Sequence, residues 1–199
     1  MAQGMRIFGV ILAGGQGRRM GGVDKALVPL GGASLLSHVI ARFDPQVQAL
    51  ALSANGDATR FASFGLPVLP DAGSNGPLSG ILSGLIWGAA QGATAVVSVP
   101  VDGPFLPPDL VPRLCLAAEG PGLALASSHG DTHPTFGLWP VSLAPALAAF
   151  LASGAKPRVR DFAAAYGAAL ADFPDALAFA NANTPDDIAR FSGLMERAS

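Results

Sequence analysis

Residues 6–12 read R-I-F-G-V-I-L, a short apolar run rich in branched side chains that ends at Ala13-Gly14-Gly15. Such a run, closed by glycine, predicts a strand buried on both faces. Leu35, Leu36, Val39, Ile40 and Phe43 then recur at helical spacing behind Ser34, predicting an amphipathic helix over 34–43 with Ser34 as its N-cap. The alternation repeats with a strand over 49–53, a helix over 57–64 and a short strand over 67–69 stopping at Pro70-Asp71. A glycine-rich helix, apolar all round, follows over 78–91, and a continuous apolar strand over 95–99 stops at Pro100-Val101-Asp102. Strands alternating with helices predict an α/β sandwich around a mostly parallel sheet.

Beyond Pro107-Pro108, which open a helix to about residue 116, the texture changes. Residues 123–127 and 135–139 read as strands of a more mixed sheet, followed by helices over 142–153 and 159–166 and a strand over 169–173. Asn183-Thr184-Pro185-Asp186 marks a helix start: Thr184 caps, Pro185 takes the first helical position, and Asp186 and Asp187 lie in the first turn. That helix runs to about residue 196. No repeat, low-complexity tract or long linker divides the 199 residues, so one domain over 1–199 is expected.

Composition narrows the class. Half of the residues are hydrophobic and 13% are charged, which excludes a disordered chain. Twelve Lys and Arg against fourteen Asp and Glu give a net charge of −2, so no global basic field draws the chain to nucleic acid or an anionic membrane. Any polyanion must be held locally. Two stretches without Asp, Glu, Lys or Arg, 72–101 and 132–155, are broken by repeated Gly and Pro, so neither predicts a membrane span. The first residues lack the basic and apolar regions of a signal peptide, and a cytoplasmic location is expected. Cys115, the single cysteine, reads as a small buried apolar residue and excludes an internal disulfide.

In an open parallel sheet ligands bind beyond the carboxyl ends of the strands. Three unusual loops fall there: 13–25, 71–80 and 102–105. The first carries Gly14, Gly15, Gly17, Gly21 and Gly22 together with Arg18, Arg19 and Lys25, one of only two lysines in the chain. Glycines let backbone N–H groups wrap an anion and the cations neutralise it, so this reads as a phosphate-binding loop, the alternative being a flexible Gly-rich connection with solvated arginines. It is neither of the two commonest kinds, because Met20 stands where a dinucleotide G-x-G-x-x-G needs a small residue and no G-K-[ST] occurs. Asp102, presented between Pro100 and Pro104, suits Mg²⁺, which takes one or two carboxylates plus substrate phosphates; a lone Asp there could otherwise cap the next helix. Asp71 could accept from a base or a ribose, or serve as a turn residue. His133 forms no metal-spaced pair and reads as structural more readily than as a ligand. The cluster Lys156, Arg158 and Arg160 could anchor a second phosphate or simply face solvent. No G-x-S-x-G turn supports acyl chemistry.

Taken together, L-A-G-G with G-R-R-M-G-G-V-D-K, Asp71 with G-P-L-S-G-I, P-V-D-G-P-F-L-P, H-P-T-F-G-L-W and N-A-N-T-P-D-D resemble, in this order over almost the whole chain, the molybdenum cofactor guanylyltransferases. The resemblance implies a three-layer α/β/α nucleotidyltransferase fold and transfer of GMP from Mg-GTP to molybdenum-loaded molybdopterin, giving molybdopterin guanine dinucleotide and pyrophosphate. It implies a nucleotide-binding half over about 6–105 and an acceptor-binding half over about 106–199. Leu12, Ala13, Gly14 and Gly15 would meet the nucleotide, Lys25 and Arg19 its phosphates, Asn55 and Asp71 the guanine and ribose region, and Asp102 the magnesium. Asn181 and Asn183 match the family's N-x-N-T-P near the metal and acceptor, with His133, Arg158 and Arg160 as further acceptor candidates. Transient contacts with cofactor-synthesis proteins or acceptor enzymes would follow. Val101 departs from the family, many of whose members have cysteine there. Cytidylyltransferases of the same cofactor resemble this pattern but usually show L-A-A-G. Sugar-1-phosphate nucleotidyltransferases typically carry Pro-Lys in place of Asp24-Lys25, and a GTP-binding carrier module would not need Asp102.

Overall fold

The structure, a computed structural model, describes residues 4–14, 24–71, 76–119, 122–154 and 156–198. Its strands are β1 (Ile7–Leu12), β2 (Pro29–Leu30), β3 (Ala33–Ser34), β4 (Ala49–Ser53), β5 (Val68–Leu69), β6 (Ala95–Pro100), β7 (Ala124–Ser128), β8 (Asp131–Pro140) and β9 (Ala169–Asp172). The helices are α1 (Leu35–Phe43), α2 (Pro77–Ala90), α3 (Leu110–Ala117), α4 (Ala144–Ala152), α5 (Val159–Ala165) and α6 (Pro185–Ala198). Seven strands form one sheet in the order β5-β4-β1-β6-β8-β7-β9, while β2 and β3 make a separate two-stranded ribbon. All neighbours in the large sheet are parallel except those of β8, which runs antiparallel to both β6 and β7.

Period-two alternation along β1 sends Ile7 and Ile11 to one face and Phe8 and Val10 to the other. The first face packs against α1 and α3 through Leu36, Val39, Phe43, Leu110, Val111 and Leu114. The second packs against α2, α4 and α5 through Leu78, Ile81, Leu85, Leu147 and Phe162. Helices on both faces of a mostly parallel sheet make the three-layer fold expected.

Glycines bring α2 onto the sheet. Gly80, Gly84 and Gly88, four residues apart on one face, leave no room for a side chain: a Cβ at Gly84 would stand 2.9 Å from Val10 Cγ1, and one at Gly88 would stand 2.8 Å from Val96 Cγ2. Close packing therefore outweighs the roughly 1 kcal/mol of helix propensity that each glycine gives up.

Two local expectations change. Residues 57–64 form a run of 3₁₀ turns (Ala58–Phe64), not an α-helix, closed by Gly65 at φ +66°. Asp57 takes both capping bonds with Thr59, its carboxylate accepting from the backbone N–H at 2.9 Å and from the hydroxyl at 2.7 Å. The strand expected over 135–139 begins at Asp131, because His129 and Gly130 turn the chain with φ +50° and +85° and pair its start with β7. The caps at Ser34 and Thr184 stand as expected, with Ser34 Oγ accepting from Ser37 N at 3.1 Å and Thr184 Oγ1 from Asp187 N at 3.2 Å. The Thr184 hydroxyl in turn holds the Asp187 carboxyl below its ordinary pKa.

Candidate active site

The chain runs from β1 outward to β4 and β5, then returns through α2 to β6 on the other side of β1. Strand order therefore reverses between β1 and β6, the place where such sheets open a ligand crevice. Backbone bonds level the strand ends there: Ala13 N donates to Ser53 O at 2.8 Å, Ala54 N to Leu69 O at 3.0 Å, and Val101 N to Leu12 O at 3.1 Å. Leu12, Ala13, Gly14, Asn55, Asp71 and Asp102 consequently share one edge. Gly15 and Arg19 lie outside the described residues.

At the β4–β5 end of this edge Asp71 is held from two sides. Its Oδ1 accepts from the Ser53 hydroxyl and its Oδ2 from Asn55 Nδ2 at 2.7 Å. Ser53 is fully buried, so the carboxylate is anchored from below. Gly14 lies directly against it, and a Cβ there would collide with Asp71 Oδ2. A polar acceptor is thus fixed beside open backbone, as a base or ribose site requires.

At the β1–β6 end, Lys25 heads a 3₁₀ turn (Lys25–Leu27) capped by Asp24, whose Oδ1 accepts from Ala26 N at 3.1 Å. Lys25 Nζ donates to Asp102 Oδ2 and to Asn183 Oδ1, each at 2.6 Å. Side-chain exposures of 17% for Lys25 and 19% for Asp102 set this ion pair apart from a solvated surface pair. Asn183 arrives because α6 packs Phe191 and Ile188 against Val28, Leu30 and Leu35 of the ribbon region and against Phe105 after β6. Ala182 N then donates to Asp102 O at 2.8 Å, tying the C-terminal segment to the strand end. Asn181, next to it, is exposed.

Among the described residues no three or more His, Cys, Asp or Glu gather into a metal cage. That donor set still fits Mg²⁺, which takes one or two carboxylates and completes its shell with phosphates and water. Asp102 supplies one carboxylate, and its Oδ1 has no partner among the described residues.

The acceptor candidates stand farther along the same edge, on β8 and α5. His133 Nε2 lies 2.7 Å from the buried Ser128 hydroxyl, and its ring stacks on Phe179 at 4.4 Å with 8° between planes. Burial pushes its pKa below the ordinary value, Asp131 opposing this and Arg160 adding to it. Phe136 meets both rings edge-on and fills the space under Gly103, where a Cβ would stand 2.6 Å from Phe136 Cζ. Arg160 Nη2 donates to Thr132 O at 2.7 Å; Arg158, just before α5, is exposed. His133 is therefore packed against Phe136 and Phe179, whereas the arginines remain at the surface.

Sequence reasoning missed Ser53, Asp24 and Arg60. Ser53 ends a strand and looks like any small core residue. Arg60 was unreadable because its partners, Asp24 and the Asn55 carbonyl, are remote or belong to the backbone.

Comparison with known proteins decides the family. The MobA-like NTP transferase domain matches residues 9–169. A molybdenum cofactor guanylyltransferase of Cereibacter sphaeroides is 58% identical over 193 residues, 97% of this chain and 99% of that protein. The chain belongs to the molybdenum cofactor guanylyltransferase family. Another relative of that name, from Mesorhizobium japonicum, is 50% identical over 200 residues, 96% of each chain. The crystal structure of molybdopterin-guanine dinucleotide biosynthesis protein A from Archaeoglobus fulgidus superposes with a TM-score of 0.74 at 22% identity, covering 96% of this chain and 99% of that one, a likeness of fold. Asp71, Lys25 and Asp102 all fall within the stretch matched to the family domain.

Proposed function

We propose that this guanylyltransferase-family chain transfers GMP from GTP to molybdenum-loaded molybdopterin in the cytoplasm, forming molybdopterin guanine dinucleotide and releasing pyrophosphate. The observation that carries the reading is the meeting of Lys25, Asp102 and Asn183 at the point where strand order reverses, in a chain 58% identical to a guanylyltransferase. One oxygen of the acceptor's terminal phosphate bonds to the α-phosphorus of GTP, and the bond from that phosphorus to the bridging oxygen breaks, leaving with pyrophosphate. The acceptor needs no protein nucleophile, because a phosphate monoester with a second pKa near ~6 is already largely dianionic at neutral pH.

The protein's task is alignment. Ala13 and Gly14 offer backbone to the nucleotide, Asp71 and Asn55 hold its base and ribose end, and Lys25 meets the outer phosphates together with Arg19. Asn181 and Asn183 face the acceptor, with His133, Arg158 and Arg160 beyond them. Asp102 would hold Mg²⁺, which supplies charge neutralisation on the triphosphate. Orientation of this kind is worth up to roughly 7–11 kcal/mol of a barrier. Incubating the protein with each of the four nucleoside triphosphates, Mg²⁺ and molybdenum-loaded molybdopterin, and measuring pyrophosphate, tests the reading. GTP should support turnover; a preference for CTP would replace it with cytidylyl transfer.

A further inference from the structure

Arg60 occupies a position that the reaction as described does not use. It follows the loop after β4, and its planar guanidinium lies 4.3 Å from the Phe61 ring centroid. From there it donates in three directions: Nε to Asp24 Oδ2 at 2.5 Å, Nη2 to Asn55 O at 2.6 Å, and Nη1 to Asp57 O. These acceptors belong to different ends of the site. Asn55 carries the side-chain amide that grips Asp71, and Asp24 caps the turn that begins with Lys25. The two Asp24 oxygens divide the work, Oδ1 holding the turn and Oδ2 holding Arg60.

We propose that Arg60 is a positioning residue that sets the spacing between the base end of the nucleotide site (Asn55, Asp71) and its phosphate end (Lys25, Asp102). The inference rests on the nucleotide-facing reading of those four residues. Only arginine suits the position: a guanidinium presents several donors in one rigid plane, whereas an ammonium is a single point charge that meets one carboxylate and leaves the backbone carbonyls behind. The Asp24 and Arg60 side chains are about a quarter exposed, at 24% and 26%, so their ion pair is partly screened by solvent. Its effect lies in geometry. Without it the Lys25 turn keeps its cap but loses its tie to the β4 loop, and Lys25 drifts relative to a nucleotide anchored at Asp71.

Arg60→Lys and Asp24→Asn, each alone and combined with Lys25→Ala, test this through steady-state kinetics with GTP and through thermal unfolding. Misplacing a catalytic cation by a fraction of an ångström to 1 Å lowers turnover by about tenfold to about a hundredfold. Arg60→Lys should therefore lower kcat by about tenfold or more at nearly unchanged Tm, with Asp24→Asn doing likewise should Arg60→Lys fail to fold. In the Lys25→Ala background both effects should vanish, because Arg60 acts through Lys25. Normal kinetics in the Arg60 and Asp24 variants, or losses that multiply with that of Lys25→Ala, overturn the proposal while leaving the active-site reading intact. A Lys25→Ala protein with normal turnover overturns the active-site reading and the inference with it.

Discussion

Lys25 and Asp102, 77 residues apart in sequence, form an ion pair with Nζ and Oδ2 at 2.6 Å, completed by Asn183 on the other side of the ammonium. Among the described residues, the side chain that meets the Asp102 carboxylate is the Lys25 ammonium. In the proposed reading the two partners serve different groups, Lys25 the outer phosphates and Asp102 the metal, so each has a separable effect.

Asp102→Ala should lose about a hundredfold or more in turnover, the scale on which removing one charge-stabilising group acts, while GTP binding survives in part through the Asp71 end. Lys25→Ala should weaken GTP more than GMP, because a point charge serves the outer phosphates. Turnover at matched Mg²⁺ and calorimetric titration with both nucleotides check this. Wild-type turnover of Asp102→Ala would remove that residue from the metal, and equal losses for GTP and GMP would move Lys25 away from the triphosphate.

At the other end, Asp71 accepts from Ser53 and Asn55 while facing Gly14. Guanine presents N1–H and N2–H₂ donors, and cytosine and adenine would leave matching acceptors unpaired at about 1–3 kcal/mol for each group. GTP should therefore outcompete CTP and ATP by at least about tenfold. Asp71→Asn places an amide donor opposite donors and should erode that preference. Competition titrations distinguish a base contact from a ribose contact, for which the variant loses all three nucleotides equally.

Glycine substitutions on two helices should have opposite signs. Gly84→Ala drives a methyl against Val10 and should destabilise by about 1–3 kcal/mol less the gain in helix propensity, a net fall of a few degrees in Tm. Gly193→Ala in α6 meets only the mobile end of Arg197, at 3.5 Å, and should raise stability by up to about 1 kcal/mol. Thermal unfolding of the two variants reads the contrast.

His133 gives stability a pH dependence. Its folded pKa is depressed by burial, so the unfolded chain binds the proton first as pH falls below the ordinary imidazole value of about 6.5. The stabilisation is complete above that value and declines on acidification through it, until the folded state also takes the proton. Denaturant midpoints should fall from about pH 6.5 downward in the wild type, and His133→Gln should flatten that decline whatever its absolute stability. An equally steep decline in the variant would assign the slope to other groups.

Much of the architecture was legible in the chain itself. Buried strands declare themselves as continuous apolar runs, and residues 7–12 and 95–100 form strands where such runs occur. Helix starts are local chemistry, so Ser34 and Thr184 cap as their neighbours dictate. Strand-end loops of glycine and aspartate marked Gly14, Asp71 and Asp102 before any topology was known. The ribbon β2–β3 escaped because its strands of two residues flank the Gly31-Gly32 turn without an apolar run to announce them. Residues 57–64 escaped as 3₁₀ turns because apolar spacing cannot tell a short helix from a tighter one.

What the sequence determined by itself was the succession of elements and the residue types at their ends, since both follow from interactions a few residues long. Tertiary structure alone decided which ends meet: that α6 brings Asn183 158 residues along the chain to Lys25, that Ser53 and Asn55 share Asp71, and that Arg60 spans Asp24 and Asn55. These contacts arise from the order in which strands join the sheet and from apolar packing of α6 on the ribbon, neither of which leaves a short-range trace.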